Sequence, residues 1–145
     1  MDSVQRLAPE LARLMDAAQD VVVFTGAGMS TESGIPDFRS PGGIWSRMVP
    51  IQFQDFLRSP QARQESWRRT FAGERGLSGK QPNAGHQVLA DWVRAGRVSC
   101  IITQNVDNLH QASGVADEKI IELHGNAGYA SCLQCHARYE LEDLR

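Results

Sequence analysis

Three short runs of apolar and β-branched residues dictate the kind of fold that is open to this chain. They cover residues 21–25, 98–103 and 119–123, and helical stretches separate them. Runs of this length and composition suit strands that are buried on both faces. Strands that alternate with helices pair in parallel through right-handed crossovers. We therefore predict an α/β fold built on a parallel sheet.

Helices are predicted on both sides of the first strand. Apolar spacing predicts an amphipathic helix over residues 3–18, and its regular part should begin at Pro9, which a helix tolerates only near its first turn. A later helix over residues 84–95 is capped by Asn83 and stopped by Gly96. One face of this later helix is expected to carry Val88, Leu89, Trp92 and Val93.

Residues 34–72, which lie between these helices, are predicted to form a long loop followed by two short helices. Proline and glycine are too frequent in residues 34–50 for a regular element, and long loops in compact domains are often functional. Residues 51–72 show two short helical patterns. Residues 45–80 carry seven Lys or Arg against three acids, which fits either a solvated surface or a preference for an anionic ligand.

Composition excludes several classes of protein. The chain has 145 residues, a 41% hydrophobic share and a net charge of −2, which fits one ordinary domain and argues against general binding of nucleic acid. No apolar run approaches the roughly 20 residues that span a bilayer, and no secretory signal is visible, so we expect no membrane association. Three cysteines make no disulfide framework, and we expect a cytoplasmic setting.

A glycine-rich turn follows the first strand. Gly26 and Gly28 allow a sharp turn and a close approach to a ligand, because neither carries a Cβ. Such a turn often holds phosphates on outward-pointing N–H groups. Ser30 and Thr31 stand where a third glycine of the dinucleotide fingerprint would be expected, so a tight turn without a ligand is an equal alternative.

Polar clusters follow all three predicted strands, at the sheet edge where open α/β sheets bind ligands. They are Gly26-Ala27-Gly28, Thr103-Gln104-Asn105-Val106-Asp107 and His124-Gly125. Each has a plainer interpretation as well. Asn105 and Asp107 could cap the helix that follows, and His124 could be a structural histidine, as we expect for His86 and His110. In the loop, Arg39 could be a surface charge and Phe38 a core residue.

Four motifs, in this order and spacing, resemble those of one family. The segments GAGMS, GIPDFRS, TQNVDNLH and LHG are similar to sirtuin motifs, and the likeness runs from about residue 15 to Cys135. Sirtuins are NAD-dependent protein deacylases. The segments STESGIPDFRS and QESWRRTFAG also resemble the branch that includes lipoamidase and ADP-ribosyltransferase members.

The resemblance implies a role for each matching position. His124 matches the general base, which suits a side chain whose ordinary pKa is about 6.5. Asn105, with Gln104, matches positions at the nicotinamide ribose and its ordered water, and is assigned with His124 to catalysis. Val106 and Asp107 match the pocket for the nicotinamide amide. The positions expected to bind the cofactor are Gly26, Ala27, Gly28, Ser30, Glu32, Pro36, Asp37, Phe38, Arg39, Trp45, Gln104, Asn105, Val106 and Asp107.

The resemblance also implies a reaction. NAD and an acyl-lysine protein or peptide would yield free lysine, nicotinamide and O-acyl-ADP-ribose. Two alternatives stay open: mono-ADP-ribosyl transfer from the same NAD site, and a non-catalytic sirtuin remnant.

The last part of the chain resembles the first half of the sirtuin zinc module. Cys132 and Cys135 have the spacing of two ligands of a tetrahedral zinc, although the pair could also be redox-active. We expect residues 1–128 to form a Rossmann-like NAD-binding portion with a helical insertion at about 45–80. Residues 129–145 should begin a zinc module that is truncated here. The sheet, the zinc site and activity are accordingly expected to be incomplete in this chain.

Overall fold

The computed structural model describes residues 3–74 and 76–145. The α-helices are α1 (Ser3–Ala17), α2 (Phe53–Arg58), α3 (Pro60–Phe71), α4 (Ala84–Arg94) and α5 (Leu109–Ala112). The strands are β1 (Val22–Thr25), β2 (Cys100–Thr103), β3 (Ile120–Glu122), β4 (Tyr129–Ser131) and β5 (Arg138–Glu140). Short 3₁₀ helices cover Ala27–Ser33, Ile44–Ser46, Asp117–Lys119 and Leu141–Leu144.

The main sheet has the order β1-β2-β3, and both pairings are parallel. The register places Thr25 opposite Thr103, and Thr103 opposite Glu122, so all three strands end at the same edge. Strands β4 and β5 form a separate antiparallel hairpin. The predicted α/β class with a parallel sheet is confirmed, and the two short helices expected in residues 51–72 are α2 and α3.

Strand β1 departs from the prediction that it is buried on both faces. Val22 is 51% exposed and Phe24 is 59% exposed, whereas Thr25 at the end of the strand is buried. Within the described residues β1 pairs only with β2, so it lies at a sheet edge and one of its faces is uncovered. An apolar run of four residues reveals a strand, but it does not show how many layers cover that strand.

The core lies between α4 and the middle of the sheet. It consists of buried apolar side chains from α4, β2 and the segments beside them: Leu89, Ala90, Val98, Ile101 and Val115. Trp92 and Val93 pack against this cluster, as their spacing predicted. Val88 is 45% exposed, so placing it on the same face was wrong, because successive residues of a helix are turned by about 100°.

Helix α1 begins at Ser3 and passes through Pro9, so the prediction that its regular part starts at Pro9 was wrong. Proline removes one N–H bond from the ladder, and solvent can hydrate the freed carbonyl because this part of α1 is exposed. Within the described residues, none of the helices combines the length and the apolar character that crossing a bilayer requires.

Helix α4 begins with a capping box. The Asn83 side chain accepts hydrogen bonds from the N–H groups of Gly85 (3.0 Å) and His86 (3.3 Å), and His86 Nδ1 accepts from the Asn83 N–H (3.3 Å). Asn83 Nδ2 also donates to the Met29 carbonyl (2.8 Å). The predicted cap is confirmed, and it ties α4 to the glycine-rich turn after β1.

His86 and His110 are structural in position, as expected for histidines among apolar neighbours. They are 0% and 2% exposed, and their ring centroids lie 5.0 Å apart. Burial lowers the pKa of both rings, and the charge of His86 further lowers that of His110, whose pKa falls to about 4 despite the opposing effect of Asp107. Both rings are therefore neutral near pH 7.

These lowered pKa values predict a specific acid lability. The folded pKa of His110 lies below the unfolded value, so its contribution to stability is complete above about pH 6.5 and is lost as pH falls toward about 4. We expect the free energy of unfolding to drop by about 3 kcal/mol over that window in urea titrations. His110→Gln should flatten this decline, and His136→Gln, which alters an exposed ring, should keep it. A flat stability profile in the unaltered chain would contradict the prediction.

Candidate active site

The glycine-rich turn leaves open space beyond the end of β1. After Thr25 the chain enters the 3₁₀ helix Ala27–Ser33, which ends at Gly34 in the left-handed region (φ 77°). A Cβ added at Gly26 or Gly28 would meet no atom within 4 Å. The turn is therefore a strand-to-3₁₀ connection with free volume at the sheet edge where α/β folds bind ligands.

The first two polar clusters are joined by side-chain hydrogen bonds. Asn105 Nδ2 donates to the Gly26 carbonyl (3.0 Å) and contacts Ser30 Oγ (3.2 Å). Ser30 Oγ in turn donates to Asp107 Oδ2 (2.6 Å). Ser30 and Asn105 are buried, at 1% and 7% exposure, so solvent does not compete strongly for these bonds. The convergence that the sequence predicted is present in the structure.

Asp107 also caps the helix that follows it, which was the plainer interpretation of this residue. Its Oδ1 accepts the N–H of Leu109 (3.0 Å) at the start of α5, so it does act like a helix cap. Asn105 makes no such bond, and its side chain is committed to Gly26 and Ser30. The two carboxylate oxygens of Asp107 are thus held by different elements, which fixes the plane of the group at the cavity.

His124 is oriented by the chain segment after β2. Its Nδ1 lies 3.0 Å from the carbonyl oxygen of Gln104. A carbonyl oxygen can only accept, so Nδ1 carries the proton in the neutral ring. The other nitrogen, Nε2, then holds the lone pair and is free to take up a proton. The side chain is exposed, so a substrate can reach it.

The loop after the glycine-rich turn is folded around Asp37. Its carboxylate accepts hydrogen bonds from the N–H groups of Arg39 (3.1 Å) and Ser40 (2.8 Å) and from the Ser40 hydroxyl. These bonds, the Ser40 hydroxyl first, lower the pKa of Asp37. The Asp37 carbonyl accepts from Ile44 N–H (2.9 Å), which closes the loop.

Aromatic and cationic side chains of the same loop pack on one another. The rings of Phe38 and Trp45 lie 5.8 Å apart, and the guanidinium of Arg39 lies 5.0 Å from the Trp45 ring. Phe38 is 37% exposed, so the alternative that it belongs to the core was wrong.

One cavity of about 560 Å³ lies between this loop and the strand ends. Most of the positions expected at the active site line it, namely Ala27, Ser30, Pro36, Asp37, Phe38, Arg39, Trp45, Gln104, Asn105, Val106, Asp107 and His124. Gly26, Gly28 and Glu32 do not line it, and Glu32 is exposed. Gly26 still reaches the site through the carbonyl that Asn105 contacts.

Several residues of the cavity wall are not among the positions expected to bind the cofactor. Ile35, Ile44, Met48, Ile51 and Leu77 supply apolar wall, together with the polar residues Ser66 and Arg69 from α3. Isolated apolar residues in a loop are common, so only the fold can show that they share one wall. The length of the loop and the unusual helical insertion were the available hints.

Two of the described basic residues in 45–80, Arg68 and Arg69, form ion pairs. Glu65 bonds to Arg68 (2.7 Å) and Arg69 (2.6 Å), and Arg68 also bonds to Glu74 (2.7 Å). These contacts lower the pKa of Glu65 to about 2. Arg69 also donates a hydrogen bond to the Val49 carbonyl (2.8 Å). The contacts of Arg68 and Arg69 fit a solvated surface with local ion pairs, and Arg69 also lines the cavity.

Cys132 and Cys135 lie in the turn of the β4–β5 hairpin, away from the cavity. Hydrogen bonds from the backbone N–H groups of Cys135 and Gln134 lower the pKa of the Cys132 thiol. Among the described residues, no group of three or more His, Cys, Asp or Glu side chains converges as metal ligands would. Cys100 lies in β2, as expected, and is not close enough to complete such a group.

Comparisons with known proteins agree on one family. The Sir2 family profile matches residues 26–145. The chain is 55% identical over 139 residues to NAD-dependent protein deacetylase 1 of Bradyrhizobium diazoefficiens, covering 96% of this chain and 53% of that protein. It is 53% identical to the NAD-dependent protein deacetylase of Rhodopseudomonas palustris, covering 94% and 54%. The chain thus spans about half the length of these relatives.

The fold has solved counterparts. A complex of Sir2 with a p53 peptide and NAD⁺ is 37% identical, with a TM-score of 0.74, and the match covers 92% of this chain and 52% of that one. A structure of Sir2 bound to acetylated peptide is 33% identical, with a TM-score of 0.72 and coverage of 93% and 52%.

The Asp37 turn gives a prediction that needs no ligand. Asp37→Ala removes the acceptor for the Arg39 and Ser40 amides, and we expect both to exchange with solvent roughly tenfold faster in amide hydrogen exchange. Asp37→Asn is the matched control, because its carbonyl oxygen can still accept both N–H bonds. Equally fast exchange of these amides in the unaltered chain would show that the turn does not hold the loop.

Proposed function

The chain belongs to the Sir2 family, and we propose that it carries the nicotinamide-side half of the active site of an NAD-dependent protein-lysine deacylase. The observation that carries this proposal is the bonded set Asn105–Ser30–Asp107, which shares one cavity with a histidine whose free nitrogen is Nε2. The relatives named as NAD-dependent deacetylases and the solved Sir2 complex with NAD⁺ support the same assignment.

The residues at the cavity fit the nicotinamide end of NAD. The carboxylate of Asp107 provides an acceptor for an amide N–H₂ group, and it is held in place by Ser30 and the N–H of Leu109. The open volume beside Gly26 and Gly28 would receive phosphate oxygens. When bound, NAD would supply a ribose carbon that becomes electrophilic as nicotinamide departs.

The chain's own groups would then divide the work between them. Asn105 offers a buried amide at the ribose position, fixed by Gly26 and Ser30. His124 takes up a proton at Nε2 while its Nδ1–H stays on the Gln104 carbonyl, which spreads the resulting positive charge.

The loop would shield the reaction from water. Phe38 and Trp45 line the cavity and are partly exposed, so an acyl-lysine protein or peptide and NAD would cover apolar surface on binding. The Sir2 complex with acetylated peptide supports a peptide partner of this kind. The cavity residues leave the preferred acyl group open.

Zinc is the second expected cofactor, and the described residues do not fit a closed site. A structural zinc takes four ligands, and only Cys132 and Cys135 come together here. We propose that this hairpin supplies two thiolates when two further ligands are provided. No step of the reaction passes through the metal. A cytoplasmic setting is likewise a proposal, consistent with three free cysteines.

The role of His124 can be tested in a chimera. The chain is joined to the C-terminal half of the Bradyrhizobium deacetylase, and His124→Ala is expected to reduce NAD-dependent deacetylation of an acetyl-lysine peptide by roughly 10²- to 10⁴-fold. The reason is the loss of the proton acceptor at Nε2. Nicotinamide release and deacetylated peptide are both measured by chromatography.

His136→Ala serves as the control for this variant, since His136 is exposed and does not line the cavity. Near-normal turnover in the His124→Ala chimera would remove His124 from the proposed role. Nicotinamide release that depends on protein acceptors but not on acyl-lysine would favour ADP-ribosyl transfer over deacylation. The chain alone is assayed in parallel, and we expect its turnover to be undetectable.

Asp107 is tested through product inhibition. Asp107→Asn in the chimera turns one carboxylate oxygen into an N–H₂ group, which can no longer accept the Ser30 hydroxyl or a nicotinamide N–H. We expect catalysis and inhibition by added nicotinamide both to weaken at least tenfold. Asp91→Asn, a change to an exposed carboxylate on α4, is the matched control. Unchanged inhibition by nicotinamide in Asp107→Asn would place its pocket elsewhere.

A further inference from the structure

The buried histidine pair has an unsatisfied nitrogen on each ring. Within the described part of the chain, His86 Nε2 and His110 Nδ1 have no hydrogen-bond partner, although both atoms are fully buried. The ring centroids are 5.0 Å apart. Ring atoms lie about 1 Å from a centroid, so nitrogens that face each other at this spacing come within hydrogen-bond reach. Buried polar atoms are rarely left unpaired.

The partners on the outer side of each ring fix where its proton lies. His86 Nδ1 accepts the Asn83 N–H, so a neutral His86 carries its proton on Nε2. His110 Nε2 lies 2.9 Å from Thr25 Oγ1, and that hydroxyl donates to Thr103 Oγ1 (2.9 Å). Thr25 Oγ1 must then accept from His110, which places the His110 proton on Nε2 as well. The two unpaired atoms are therefore one donor and one acceptor.

We propose that His86 Nε2–H donates to His110 Nδ1, and that His110 is thereby a positioning residue for the strand-end segment that holds Asn105 and His124. The two ring planes are inclined at 55° to each other, so the bond requires a rotation of one ring. The effect of the bond is a single direction of hydrogen bonding that runs from the α4 cap, through both rings, to the ends of β1 and β2.

This series of buried hydrogen bonds ends at the backbone of the active site. Thr103 Oγ1, which receives the Thr25 hydroxyl, also accepts the Asn105 N–H (3.0 Å). The Thr25 carbonyl accepts the Gln104 N–H (3.0 Å). The N–H groups of Gln104 and Asn105 are thus both held. The Gln104 carbonyl is the group that orients His124, so a defined Thr25 hydroxyl contributes to the direction of Nε2.

The surroundings of the pair favour neutral rings. Asp107 is the carboxylate that acts on both histidines, and its two oxygens are already engaged by Ser30 and the Leu109 N–H. This series of hydrogen bonds keeps its direction while both rings are neutral, because neither ring needs to release or gain a proton. The positioning part of the inference rests on the proposed role of His124, whereas the bond between the rings does not.

The bond is tested in the unaltered 145-residue chain by ¹⁵N–¹H correlation spectra of the histidine rings at neutral pH. We expect His86 and His110 both to be protonated on Nε2 only, with a nitrogen–nitrogen coupling across the bond from His86 Nε2 to His110 Nδ1. A proton on Nδ1 of His110, or absence of that coupling, overturns the proposal. This measurement requires no enzymatic activity, so its failure is distinct from failure of the proposed function.

His110 would act on His124 through the Thr25 hydroxyl, so the positioning role is tested with a pair of variants at Thr25. Thr25→Val keeps the shape and removes the hydroxyl, so His124 should lose its preference for the Nδ1–H form in the same spectra. Thr25→Ser restores the hydroxyl and should restore that preference. A His124 ring that is unchanged in folded Thr25→Val overturns the role. If the valine variant does not fold, the role is tested in folded Thr25→Ser and in the unaltered chain. Absence of the Nδ1–H form of His124 in either of them overturns the role.

Discussion

The parallel pairing of β1 with β2 is the interaction on which the rest of the site depends. It sets Thr25 opposite Thr103, two residues that are 78 positions apart, and so brings the glycine-rich turn beside the segment after β2. Two polar contacts of the site cross this junction: Asn105 to Gly26, and Ser30 to Asp107. A slip of one strand by one residue would turn its threonine to the opposite face of the sheet from the other threonine and separate these pairs.

The sequence predicted this junction better than it predicted the surfaces around it. Strand positions, the Asn83 cap and the polar strand ends follow from short-range patterns, and the structure has them where expected. Exposure of Phe24 on β1 could not be predicted, because it depends on which elements cover the sheet. The prediction that the first helix becomes regular only at Pro9 was wrong for a similar reason. A proline disrupts a helix less where solvent can reach the freed carbonyl.

Site residues show the same division between what a motif gives and what only the fold gives. The motifs placed most of the expected positions at one cavity, yet they did not show that Asp37 uses its carboxylate to fold its own loop. Nor did they show the apolar wall from Ile35, Ile44 and Met48, whose spacing carries no periodic signal. Local turn chemistry and tertiary contact compete for such residues, and a linear pattern does not decide between them.

The two sides of the cavity are held by forces of different strength. On the strand side, Ser30, Thr103 and Asn105 are buried, and their hydrogen bonds are strengthened by a low local dielectric. On the loop side, the Asp37 turn and the Phe38–Trp45 contact are exposed, so water competes with each of them. A ligand that enters would therefore find its polar contacts preorganised by the sheet, and would reshape only the loop. That asymmetry suits a site that must hold one reactive geometry and still admit and release large molecules.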